Sequence, residues 1–275
     1  LNGAFAEPQM THALDAGNGR LGRLVREAQP VAPLLPFVHN TDAFQFVDIV
    51  ETGVLEPQPC TVFTGEALTY FFYARPAFRP DVNEEATALE HYFPVCLIFK
   101  HEAITEIRRV FPFDSGAFQG GLYGAFMHRR MKLGDFALEA ETSTPARMVG
   151  RFFGTNEAYL FSRDPLDKDI PADHLEARSY AALAGAKGGN AIDSRGSGVE
   201  IQTSEPISLQ GMLDAVVLPL SFVETQTGRS LRDAGVDLLP YNTMGRTRPS
   251  ECMGSITDIC AAFYARRDLI LGAGG

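Results

Sequence analysis

The chain has 275 residues, 45% hydrophobic and 21% charged, with a formal net charge of −10 and a pI near 5.1. That length and composition support one large or two small folded domains with a sizeable core and exclude a disordered chain. The acidic balance repels phosphate backbones and argues against tight non-specific nucleic-acid binding, though a local basic cleft stays open.

Cys60, Cys96, Cys252 and Cys260 show no zinc-type spacing, and Cys96 sits within an apolar run, so a reducing cytosol is expected. No apolar stretch approaches a membrane span and no basic-plus-apolar leader opens the chain. A cytoplasmic protein with no membrane partner is expected. The first residue is Leu1, which reads as a trimmed chain or a piece of a longer one.

Residues 1–33 read as an N-terminal arm with a small helical pattern over Leu21–Glu27 and a mobile tip. Residues 34–275 read as a single domain. Leu34–Val38 predicts a strand that delivers His39 to its end, and Thr41 or Asp42 caps a helix closed by Gly53. A loop follows through Pro59, then a short apolar run, Cys60–Phe63. Leu68–Tyr73 predicts an aromatic strand, after which Pro76 constrains how Arg75 leaves it. Asp81–Glu90 is acidic and solvated, and Tyr92–Phe99 is the clearest buried strand.

Further along, Glu102–Val110 predicts a helix, Phe111–Gly121 a loop and Thr144–Leu160 another helix. Ser162–Ser197 reads as a long loop without a core, the natural acceptor-side element of an enzyme. Val199–Thr203 alternates like a half-buried strand. Ile207–Gly211 is a turn or short helix, and Leu213–Pro219 a buried strand. Glu224–Ala234 predicts a helix, Val236–Pro240 a strand and Gly254–Arg267 the last helix. Without a regular βαβ alternation, an α+β fold with a mainly antiparallel sheet is expected.

No nucleophile elbow, Walker loop, zincin helix or dinucleotide fingerprint is present, and the six histidines include no i, i+4 pair. What remains is an ordered set. His39-Asn-Thr41 precedes a helix ending Ile49-Val-Glu-Thr-Gly-Val-Leu55. Tyr70-Phe-Phe-Tyr-Ala-Arg-Pro-Ala-Phe78 follows. Later come Glu200-Ile-Gln, Ile207-Ser-Leu and Asp214-Ala-Val-Val-Leu218. This order resembles the histidine–tyrosine–glutamate branch of the ADP-ribosyltransferase superfamily, most of all the DarT-like toxins that modify nucleic acid. The likeness spans about Leu34 to Tyr241.

The resemblance implies a split, mainly antiparallel sheet with helices around it. It implies mono-ADP-ribosyl transfer of toxin or defence type, with NAD as co-substrate and no metal. Glu200 would stabilise the ribosyl cation and Arg75 would assist catalysis or hold phosphate. His39 would bind ribose, the backbone of Asn40 the nicotinamide amide, and Thr41 would support the strand end. Tyr70 or Tyr73 would stack on nicotinamide; three apart on a strand, only one can do so. The acceptor would be DNA, RNA or a protein, and a toxic enzyme would need an antitoxin or inhibitor as partner. Gly198 stands where arginine-modifying relatives carry a second carboxylate, against an arginine target.

Two other outcomes stay open, an NAD glycohydrolase and a non-enzymatic nucleotide-binding domain of the same fold. Taken singly, the residues have plainer readings: a core histidine, a solvent-facing strand glutamate, a surface ion-pair arginine. The enzyme requires His39, one tyrosine, Arg75 and Glu200 to line one cleft. A Glu200 on the far side of the sheet from His39 removes the enzyme reading.

Overall fold

A computed structural model describes residues 17–78, 84–167, 169–186 and 194–271. The helices are α1 (Arg20–Arg26), α2 (Ala43–Thr52), α3 (Ser115–Gln119), α4 (Thr144–Phe152), α5 (Asn156–Leu160), α6 (Leu175–Ala184), α7 (Gln226–Asp233) and α8 (Met253–Arg266). The strands are β1 (Phe37–Asp42), β2 (Val54–Leu55), β3 (Gln58–Pro59), β4 (Ala67–Tyr73) and β5 (Pro94–Phe99), then β6 (Arg109–Phe111), β7 (Glu200–Thr203), β8 (Ile207–Ser208), β9 (Leu213–Pro219) and β10 (Asp237–Tyr241).

The main sheet runs β10-β9-β5-β1-β4-β7-β6, and β3 adds to β4. Its neighbours are antiparallel except β9 and β10, which are parallel and connected through α7. The fold is α+β with a mainly antiparallel sheet and surrounding helices. β5 lies inside the sheet because all six of its residues are apolar and buried, which suits a strand covered on both faces. It pairs with β1 along the whole of β1, from Phe37↔Phe99 to Asp42↔Pro94. β1 and β4, by contrast, pair only at Phe37↔Tyr73 and Val38↔Phe72. The sheet is therefore split after Val38.

Several expectations hold closely. Asp42 caps α2 by accepting from Gln45 N at 2.8 Å, and Gly53 ends it at φ 71°, where a side chain would be strained. β9 and α8 fall where apolar spacing placed them.

Others are corrected. Pairing with β5 carries β1 on to Asp42, so His39 lies inside the strand, not at its end. The described part of the expected arm, from residue 17 to 33, packs on the domain. Leu21 and Val25 are buried in the common core, and a Cβ on Gly22 would stand 2.5 Å from Gly17. The mobile tip lies outside the described residues. Glu102–Val110 is no helix. It holds a short 3₁₀ turn at His101–Ala103 and then β6, an edge strand completed by β7.

Phe111–Gly121 contains α3, capped by Asp114 accepting from Ala117 N at 2.7 Å. Thr144–Leu160 breaks into α4 and α5 around Gly154 at φ 75°. The stretch read as coreless carries α6, with Ala177, Tyr180, Ala181 and Leu183 buried. β7 is buried at all four positions because α3 and neighbouring loops cover the face expected to be solvated. Ile207–Ser208 is a strand, β8, paired with β2 inside the expected loop before Pro59.

Candidate functional site

The split creates an open edge inside the sheet. Ala74 N donates to Pro36 O at 2.9 Å. Backbone groups in a strand alternate sides, so those of Pro36, Val38 and Asn40 face β4. β4 has already diverged at Asn40, so the N–H and C=O of Asn40 face the gap. On the other side, Tyr73 N donates to Val199 O, toward β7. The same alternation points the Tyr70 carbonyl at the strand position β1 has vacated. There the His39 ring takes over, with Nδ1 2.8 Å from Tyr70 O. Further along, β3 occupies β1's side of β4, and Cys60 N donates to Glu66 O.

That contact assigns the tautomer. A carbonyl only accepts, so Nδ1 carries the hydrogen and Nε2 is left as an acceptor. Burial holds the imidazole below its ordinary pKa, so the ring is neutral. His39, Asn40 and Tyr70 are all partly exposed at the gap. The Tyr70 hydroxyl lies 2.7 Å from Cys60 Sγ, which also accepts from Val62 N and Phe63 N at 3.2 and 3.1 Å. Asn40 Oδ1 accepts from Ala77 N at 3.1 Å, tying the gap to the segment after β4. Thr41 is buried within β1.

Tyr73 is not a ligand contact. It is 0% exposed, and its hydroxyl accepts from Leu35 N at 2.8 Å. Of the two tyrosines only Tyr70 reaches the gap.

Glu200 opens β7 and is 1% exposed, so it is no solvent-facing residue. Oε2 accepts from Ser115 N at 3.0 Å, and Oε1 accepts from Ser115 Oγ at 2.8 Å and Gln202 Nε2 at 2.7 Å. Burial, reinforced by the negative Asp114, pushes its pKa up to about 8 against the weaker pull of those donors. Asp114 itself lies 3.5 Å from the Arg195 guanidinium. Tyr70 and Gln202 are register partners on β4 and β7, and Arg109 of β6 stands opposite Gln202. The Arg109 guanidinium pairs with Glu66 and lies 4.0 Å above the Phe63 ring.

The single-cleft expectation fails at two points, Glu200 and Arg75. Paired residues share a face, so Glu200 lies with Phe72 and Val38, while His39 belongs with Phe71 and Leu97 on the other. Ring centroids of His39 and Phe71 are 5.8 Å apart, consistent with that assignment. The His39 ring reaches the gap from one face, and the Tyr70 and Glu200 side chains belong to the other.

Arg75 lies past the opposite end of β4 and is 4% exposed, so it is no surface ion-pair residue. Ala74 adopts φ 57°, a left-handed conformation strained for a residue with a Cβ, and this turns Arg75 out of the strand. Its guanidinium donates to Ser197 Oγ at 2.6 Å and Ser162 Oγ at 2.7 Å, and lies 5.4 Å over the Tyr159 ring. Desolvation lowers its pKa, and no carboxylate among the described residues is paired with it. It makes no hydrogen bond to His39, Tyr70 or Glu200.

Ser115, Gln202, Asp114 and Cys60 complete the site and were not singled out from sequence. Gln202, two residues beyond Glu200 on one strand, was the one legible neighbour. No group of metal-ligating side chains occurs among the described residues, and no helix among them is long and apolar enough to cross a membrane. A surface cavity of about 320 Å³, lined by Phe126, Ile170 and Arg178 among others, includes none of the expected site residues. Comparison with protein-family models, curated proteins and solved structures finds no match.

Proposed function

We propose that this chain is a domain of ADP-ribosyltransferase type that binds NAD in the gap between β1 and β4, with mono-ADP-ribosyl transfer as a second reading. One observation carries the reading: the backbone N–H and C=O of Asn40 face a gap that no strand among the described residues fills, beside a neutral histidine. A strand's open N–H and C=O are the complement of a carboxamide, the recognition group of nicotinamide. His39 Nε2, an acceptor, suits a ribose hydroxyl. The partly exposed Tyr70 ring offers a face to the nicotinamide.

In the reaction the ribose C1′–nitrogen bond breaks with its electron pair leaving on nicotinamide. The acceptor's nucleophile bonds to C1′ and its proton departs. Glu200 supplies negative charge to the developing cation. With a pKa near 8 it is protonated at neutral pH in the free protein, and a cationic ligand beside it draws it toward the ionised form. Arg75, buried past the other end of β4 and held by Ser197 and Ser162, does not reach a ligand in the gap. DNA, RNA, a protein or water remains the acceptor.

The opposite faces of His39 and Glu200 favour binding of NAD without its consumption. Transfer is the second reading, because within the gap the sheet is interrupted and a ligand there meets β1 on one side and β4 on the other. Incubation with NAD, reading nicotinamide by chromatography and protection by thermal shift, separates the two. Binding predicts protection without release, and transfer predicts release that is abolished in Glu200→Gln while protection persists. Protection without release leaves only the binding domain, and absence of both removes each reading.

A further inference from the structure

We propose that Ser115 is a positioning residue for Glu200, holding both oxygens of its carboxyl from a different element of the fold. This rests on the transferase reading for its purpose but not for its geometry. The terminal torsion of glutamate is broad, so placement on β7 does not by itself fix the plane of the Glu200 carboxyl. Ser115 removes that freedom. Its N–H binds Oε2 at 3.0 Å and its hydroxyl binds Oε1 at 2.8 Å, so the two contacts set the carboxyl plane.

The hydroxyl's direction is itself assigned. Gln202 Nε2 is 3.2 Å from Ser115 Oγ and 2.7 Å from Glu200 Oε1, and an amide nitrogen only donates. Ser115 Oγ therefore accepts from Gln202 and gives its one hydrogen to Glu200. Three donors converge on one carboxyl, an arrangement that favours the ionised form.

The charged and titratable groups around it are Asp114 from the loop before α3, Tyr70 from β4, Arg109 from β6, and Arg195 acting through Asp114. Asp114 opposes ionisation while Ser115 supports it. Adjacent residues thus have opposite effects on one carboxyl. Ser115 lies 85 residues from Glu200 in the chain, so β7 alone carries no sign of it.

The test is titration of the Glu200 carboxyl by carbon-13 NMR of glutamate-labelled protein, assigned by loss of its signal in Glu200→Gln. Ser115→Ala keeps the backbone N–H and removes the hydroxyl, so the midpoint should rise by about one unit. Ser115→Thr, which keeps a hydroxyl, should restore it. Asp114→Asn should move it down. In the NAD assay Ser115→Ala should lose roughly tenfold in kcat with little change in KM, rescued by threonine. An unshifted midpoint in folded Ser115→Ala, or threonine behaving like alanine, overturns the proposal. Absence of NAD cleavage in wild type removes the transferase reading, while the titration still decides Ser115.

Discussion

Replacing Glu200 by glutamine should remove the pH dependence that its burial imposes. The carboxyl is 1% exposed, and its pKa is raised from 4.5 to about 8. In the unfolded chain the group ionises near its ordinary value. Between the two pKa values the native state holds a proton that the unfolded state lacks. The stabilisation is thus complete below about 4.5 and is lost as pH rises through about 8. Each unit is worth about 1.4 kcal/mol, so the full effect is on the order of a few kcal/mol. Glutamine has no such proton to lose. Its amide cannot accept from all three donors, so it should be less stable than wild type at pH 5, by roughly 1–3 kcal/mol. The deficit should shrink or reverse by pH 9. Urea unfolding of both proteins at each pH unit from 5 to 9 measures the difference, and titrations elsewhere cancel in it. Parallel stability curves would refute the reasoning, since they would mean that Glu200 ionises alike folded and unfolded.

Other substitutions test other parts of the architecture. Gly22→Ala should destabilise by roughly 1–3 kcal/mol in urea unfolding, because the new Cβ meets the Gly17 backbone; a neutral result would detach α1 from the core. Tyr73→Phe should cost about 1 kcal/mol through the lost contact with Leu35 N and leave NAD protection intact. Tyr70→Ala should weaken that protection several-fold, measured by calorimetry, and equal effects at both sites would contradict their assignment. His39→Ala should weaken NAD binding too. In wild type, protonation of His39 should weaken affinity only below pH 6.5, since the lowered pKa keeps Nε2 an acceptor down to more acidic pH, while ionisation of Glu200 should strengthen it as pH rises through about 8. A loss of affinity between pH 7 and 8 would point to another titrating group.

Local signals were legible where one element carries its own explanation. The Asp42 cap and the Gly53 stop delimit α2, and the apolar run of β5 reads as a buried strand without any partner in view. The failures share a cause. The apolar spacing over Glu102–Val110 is short and ambiguous, and only pairing with β7 makes its end a strand, β6. α6 was missed because the surrounding Pro, Asp and Gly residues masked ten helical positions whose apolar side packs on the core. The two tyrosines of β4 could be divided between opposite faces from spacing alone. Which faced the site required the register with β1 and β7.

The sequence by itself determined an α+β chain, the strand carrying His39 and the helix behind it. Those follow from periodicity and capping, which act over a few residues. Tertiary structure alone decided that β1 parts from β4 after Val38, leaving Asn40 to face a gap, and that Glu200 lies on the opposite face in the grasp of Ser115. Each of those depends on which strand pairs with which, across 30 to 160 residues of chain. A strand's side chains alternate by rule, but the face that becomes a site is chosen by its neighbours.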